Sequence, residues 1–350
     1  MLKVAMAFTV AACLLVPGRA DAGTRAALSA WQSDAGTTKP AINAGHLIYD
    51  EARRRLIMVE AYQPPAPPER VQVWAWERSD WRQVPVDSAP PMRTLSGAAY
   101  DTRRRRLVLH GGLGNTGLDD PRGDTWEWDG RRWIEMRGTG VGPRDHHTLA
   151  YDEGRGRVVL FGGVATTRRG DAQVRESPTD TWEWDGARWT AIDAPGPAAR
   201  GGAGMVYDRA RRHVVLFGGV SFGSGPATRF ADTWIWDGRA WRRVAGDGPA
   251  PPGRNGHAMV FDRDTGTVLM WGGTTGGSGH LGDLWRWDGS RWTEVAVPEP
   301  RPGRRVGASM AYDAARGRIV LYGGRARDNG QVRTLDDMWE WDGARWTRVR

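Results

Sequence analysis

The chain has almost no cysteine and almost no lysine. Among its 350 residues the single cysteine is Cys13, inside an N-terminal apolar stretch. A chain built this way has no disulfide framework, and its stability must come from packing. Lysine occurs only at Lys3 and Lys39, so arginine carries nearly all of the formal charge of +8. A nucleic-acid-binding role would require a basic stripe and a matching compartment, and the N-terminus argues for export instead. A long 3.6-residue apolar period is also missing, which excludes a helical bundle. Beyond Val4 to Val16, no apolar run approaches the length of a membrane span, so no transmembrane anchor is expected.

Residues 1–22 read as a signal peptide: Lys3 is the charged start, Val4 to Val16 the apolar stretch, and Ala20-Asp21-Ala22 an Ala-x-Ala cleavage site. The expectation is a secreted or periplasmic protein, and cleavage lowers the charge from +8 to +7. Val10-Ala11-Ala12-Cys13 also resembles a lipobox, which would anchor the chain through Cys13, although the apolar Leu14-Leu15-Val16 that follows argues against it.

What is abundant is tryptophan. Eighteen of the 20 fall into a three-Trp cassette that recurs six times, at Trp74/76/81, Trp126/128/133, Trp182/184/189, Trp234/236/241, Trp285/287/292 and Trp339/341/346. Each cassette is preceded by an aromatic-Asp pair: Tyr49-Asp50, Tyr100-Asp101, Tyr151-Asp152, Tyr207-Asp208, Phe261-Asp262 and Tyr312-Asp313. Gly-Gly follows the aromatic by 11 residues, starting at Gly111, Gly162, Gly218, Gly272 and Gly323, whereas repeat 1 has Glu60-Ala61 there. Such a fixed period marks a repeat architecture.

Four strands fit one period. Strand a is short and rich in small residues, as in Thr148 to Tyr151. Strand b is an apolar run, such as Val158 to Phe161, of the kind buried on both faces. Strand c carries Trp-x-Trp, and its alternation puts both rings on one face. Asp-Gly then turns the chain into strand d, which carries the third Trp. The fold class is therefore all-β, a six-bladed β-propeller of four-stranded antiparallel blades. Its blades run over about 44–93, 94–144, 145–200, 201–254, 255–305 and 306–350. Residues 23–43 form an N-terminal segment in which Trp31, 18 residues before Tyr49, predicts a solitary extra outer strand.

Gly-Gly, the c-strand aromatics and the d-strand Trp together resemble the Kelch repeat. An Arg seven residues before the aromatic-Asp pair adds to the likeness, at Arg93, Arg144, Arg200, Arg254 and Arg305, as do His147 and His257 three residues further on. The resemblance covers about residues 44–350. In animal Kelch proteins similarly placed arginines bind acidic peptides. It therefore implies a non-enzymatic, monomeric scaffold that binds a protein or peptide, with those five arginines, His147 and His257 as the candidate binding residues. The alternative role for the arginines is pairing with the Asp before each Trp-x-Trp, namely Asp124, Asp180, Asp232, Asp283 and Asp337. Repeat 1 lacks both partners, with Ile42 and Val73 in their places. The loops between strands b and c differ in length: Gly163 and Trp182 are 19 positions apart, Gly273 and Trp285 only 12. Variation on one face fits recognition by loops. That face comprises the b–c loops and d–a connectors. A glycan site at the channel mouth is the alternative function.

No cofactor or metal is expected. Two stretches, Gly112 to Gly117 and Gly277 to Gly282, match G-x-G-x-x-G, but neither opens a helix as phosphate binding requires. The histidines lack ligand spacing, and His110 fills a slot held elsewhere by Phe161, Phe217, Trp271 and Tyr322. The copper-radical chemistry of some Kelch-like propellers needs a Tyr–Cys crosslink, which the mature chain cannot form. On the opposite face, the six a–b turns hold 15 Arg against nine acids, densest at Arg103–Arg106. They read as a solvated rim or a contact for anionic polymer or lipid.

Overall fold

Trp184 and Trp189 stand directly opposite each other across a hairpin. The loop proper is Gly186-Ala187, with Gly186 at φ +102°, a conformation that glycine adopts without steric cost. The Asp185 carboxylate locks the turn by accepting the Ala187 and Arg188 amides at 2.8 and 2.9 Å. Repeat 1 has no glycine here. Its two loop residues, Arg78 and Ser79, both take φ near +50 to +64°, the twist that suits a two-residue hairpin.

The computed structural model describes residues 45–59, 69–86, 88–138, 140–169, 172–222, 226–244, 248–277, 279–328 and 330–349. The expected signal peptide, Cys13 and the Trp31 strand lie outside the described residues. The described residues form strands with one short 3-10 turn at Gly117–Asp119 and no α-helix. Six antiparallel four-stranded sheets follow the repeats, each in simple sequential order. In repeat 3 the strands are Thr148–Asp152, Arg157–Phe161, Thr181–Trp184 and Trp189–Ile192.

The innermost strands adjoin one another in a ring. His46–Asp50 of repeat 1 lies against Ser309–Asp313 of repeat 6, where the Leu47 amide donates to Ser309 Oγ at 2.9 Å. Trp81 meets Tyr322 edge-on at 5.3 Å across the same seam. The first and last sheets thus close on each other by ordinary side-chain packing. Each neighbouring pair of sheets shares one apolar cluster. Between sheets 2 and 3 it contains Val108, Leu149, Leu160, Trp184 and Trp189. Removing such a buried Trp costs about 3–5 kcal/mol.

The polar letters of the cassette tie neighbouring sheets together. Thr125 Oγ1 accepts from Trp189 Nε1 of the next sheet at 3.0 Å, and Glu127 accepts from Trp184 Nε1 at 2.8 Å. Thr181 and Glu183 serve Trp241 and Trp236 in the same way. Where the cassette carries an apolar residue instead, the facing indole loses its partner. Val73, Leu284 and Met338 leave Trp133, Trp346 and Trp81 with none among the described residues.

Two further small sheets grow from the b–c loops, where the sequence predicts only loop. In repeat 3, Val164–Arg169 and Ala172–Glu176 form a hairpin that pairs with Arg144–Asp145. In repeat 6, Arg325–Asp328 pairs with Gln331–Thr334.

Candidate functional site

The five recurring arginines each lie four residues before an innermost strand, and the structure buries all of them, to between 0 and 3 % exposure. Arg93 forks onto Asp124 at 2.6 and 2.8 Å and also donates to the Gly111 carbonyl. Arg144 holds Asp180 and Gly162, Arg200 holds Asp232 and Gly218, Arg254 holds Asp283 and Gly272, and Arg305 holds Asp337 and Gly323. Each carboxylate also accepts the first indole of its cassette, as Asp124 does from Trp126 at 2.6 Å. Burial alone would raise the Asp124 pKa, but the Arg93 fork outweighs it and holds the group at about 2. The backbone belongs to the same unit. The second glycine of one repeat donates to the carbonyl of the next repeat's arginine, as Gly163 does to Arg200 at 2.9 Å. A Cβ on Gly162 would stand 2.6 Å from that same carbonyl, which explains the glycine. Arginine, Gly-Gly and Asp are thus three parts of one tie. In repeat 1 the Asp position is Gln72, two residues before Trp74, while Val73 takes the place of the threonine.

His147 and His257 are buried too, at 5 and 7 % exposure. The His257 ring lies edge-on to Phe217 at 5.7 Å and fills the space above Gly204. Burial, with Arg254 close by, lowers its pKa to about 3. The His147 ring packs on His110 at 5.4 Å and over Gly97; burial again comes first in pushing its pKa well down. None of the seven residues presents its polar atoms at the surface. The expected ring of ligand-contacting arginines and histidines is therefore corrected to a set of internal ties and wedges. Desolvating a guanidinium is tolerable only with its carboxylate fixed beside it.

The mouth is built by the residue two positions after each arginine. Leu95, His146, Gly202, Gly256 and Gly307 all have φ between +56 and +70°. Their backbones form a hoop: His146 donates to Leu95, Gly202 to His146, Gly256 to Gly202 and Gly307 to Gly256, at 2.8 to 3.0 Å. A non-glycine residue in this region costs about 1–2 kcal/mol, and such strain persists only where the surroundings impose it. At His146 the surroundings are a buried ion pair and an aromatic ring. Its Nδ1 lies 2.5 Å from Asp145 Oδ1. Asp145 is fully buried, and its other oxygen accepts from Arg175 of the repeat 3 hairpin at 2.7 Å. Phe222, from the b–c loop of repeat 4, lies 5.2 Å from the imidazole. The Asp145 carboxylate accepts this bond, so Nδ1 is the donor of the ring. The candidate residues read from the sequence did not include His146. The signal was a histidine where three repeats have glycine.

Further out on the same face a hollow of about 440 Å³ is lined by Asp283, Glu299, Arg301 and Arg304. Arg304 is exposed although its neighbour Arg305 is buried. Among the described residues no cluster of three or more His, Cys, Asp or Glu is arranged to hold a metal. No helix among them is long and apolar enough to cross a membrane.

A family model described as the KLHDC2/KLHL20/DRC7 Kelch-repeats domain matches residues 236–350. The chain carries Kelch repeats. Similar proteins include an F-box/kelch-repeat protein of Arabidopsis thaliana, 28 % identical over 67 % of this chain and 52 % of its own length. Putative adagio-like protein 2 of Oryza sativa subsp. japonica is 29 % identical over 75 % of this chain and 43 % of its own. This Kelch-repeat chain therefore spans about half the length of these relatives or less. Arg, Gly-Gly, Asp and Trp, the recurring marks of the repeat, are framework in the structure.

Proposed function

We propose that this Kelch-repeat protein is an exported, non-enzymatic scaffold that binds a protein or peptide on the face of its b–c loops and d–a connectors. The observation that carries this reading is the contrast between the two faces. The a–b and c–d turns repeat with almost constant length, while the b–c loops vary in length, and those of repeats 3 and 4 converge on His146. Recognition concentrates in loops held by a rigid framework, and the buried arginine ties supply that framework. Relatives with Kelch repeats carry them inside longer proteins, consistent with a binding module.

The test is a crosslinking pull-down of the full chain from its native surroundings, compared with a variant whose Val164–Glu176 hairpin is replaced by a short Gly-Ser link. Partners should be lost from the variant while circular dichroism stays close to the parent; loss of Arg175 from buried Asp145 lowers the melting temperature without unfolding the protein. An identical partner set from both proteins would remove the assignment of this face.

A further inference from the structure

Most a–b-turn arginines have a structural task. Arg104 holds Asp101 and Glu127 of its own sheet at 2.7 and 2.6 Å and lies over Gly186 of the next. Arg155 repeats this with Asp152, Glu183 and Gly238. Arg53, Arg211 and Arg316 likewise bond the Asp three positions earlier. Arg103 and Arg105 hold no such Asp, although Arg103 lies over Gly156 of the next sheet. Both are exposed, and neither has an ion pair among the described residues.

These two arginines border a hollow of about 600 Å³ on the a–b-turn face, together with Arg209, Arg263, Glu51 and Glu153. Glu51, Glu153, Arg209 and Arg263 each follow directly on the Asp that ends an innermost strand, so they surround the end of the axial channel. Arg263 bonds Glu51. Arg209 bonds Glu153 at 2.8 Å and approaches Glu51, from the opposite side of the ring, at 3.7 Å. The two glutamates are thereby engaged by two arginines. The other two arginines leave the hollow with an excess of two positive charges.

We propose that this mouth binds a compact oxyanion carrying two negative charges, a phosphate monoester or a dicarboxylate. Its volume is that of a small-molecule pocket, and the guanidinium fork matches both kinds of oxygen pair. Thr102 at the rim adds a hydroxyl donor. Burial, and then the adjacent Arg263, lower the pKa of Arg209; a bound anion would relieve that repulsion. The site lies on the face opposite the one proposed for protein binding and does not depend on it.

The test is calorimetric titration of the full chain at low ionic strength and pH 7.5, with inorganic phosphate in one arm and succinate in the other. Saturable one-to-one binding is expected in at least one arm, and the tighter arm identifies the preferred group. R103Q/R105Q should weaken it at least tenfold. R131Q/R132Q removes the same charge from an exposed c–d turn and should change it less than twofold. Absence of saturable binding in both arms overturns the proposal. So does equal weakening by the two double variants, which indicates a diffuse field. Association only with vesicles containing phosphatidylglycerol, and with neither small anion, overturns it as well.

Discussion

Arg200 meets Asp232 through two parallel hydrogen bonds of 2.5 and 3.0 Å, while its guanidinium lies 3.8 Å from the Phe230 ring centre. Desolvated on both sides, the pair is a structural unit. Arg200→Ala leaves the Asp232 carboxylate without its counter-charge and is expected to cost about 3–5 kcal/mol. The double variant Arg200→Met/Asp232→Leu should be closer to the parent than Arg200→Ala alone. Urea unfolding reads both. An Arg200→Ala protein as stable as the parent would return this arginine to the list of binding residues.

Among the described residues the indole of Trp133 has no acceptor, because Val73 stands where Thr125 and Thr181 serve other sheets. Val73→Thr is nearly isosteric and supplies that acceptor, so stability should rise by about 0.5–1.5 kcal/mol. Val215→Thr, equally buried, buries a hydroxyl that answers no such indole and should cost about 1–3 kcal/mol. In the reverse sense, Thr125→Val strands both Trp189 and His110, and a loss of about 1–3 kcal/mol is expected. A Val73→Thr protein that melts lower than the parent would refute the role assigned to the threonine.

Buried histidines make the fold sensitive to acid. Burial lowers the pKa of His110 and of His257 to about 3 and that of His46 to about 4. The folded values lie below the unfolded 6.5, so the unfolded chain takes up protons first. Stability is therefore full above pH 6.5 and declines as pH falls towards 3. Each such group contributes about 1.4 kcal/mol per pH unit within that window. Asp124, held at about 2 in the folded state, adds to the loss below its ordinary range. His110→Phe should flatten the dependence between pH 6 and 4 by about one such slope, measured as unfolding free energy in urea. An unchanged slope would mean that His110 does not carry it.

His146→Gly separates structure from recognition. Glycine occupies the same hoop position in repeats 4 to 6, so relief of strain offsets the lost bond to Asp145. Stability should stay within about 1 kcal/mol of the parent. Partner capture should fall at least tenfold, and full retention of capture would exclude this residue from the contact.

The strands and hairpins were legible because their causes are local. Trp-x-Trp alternation, the Asp-Gly turn and the apolar run before Gly-Gly each act within a few residues. The site was not legible. His146 and His147 are adjacent in sequence, yet one lies in the mouth hoop at φ +56° and the other fills the space over Gly97. Nothing in the local pattern separates them. The repeat 3 hairpin was hidden for a related reason: its strands pair with Arg144–Asp145 on one side only, without the apolar alternation of a core strand.

By itself, then, the sequence determined where the four strands of each repeat run and which residue faces which across the Trp hairpin, because period-2 geometry and turn chemistry need only near neighbours. Tertiary structure decided what the polar letters do. Thr125 finds Trp189 at a separation of 64 residues, and Glu127 finds Trp184 at 57. The sequence left two roles open for the recurring arginines, and the structure decided for pairing, because Asp and Gly-Gly of one repeat converge on each of them. Partners brought together by the packing of strands and sheets settled which charges are framework and which are left for a ligand.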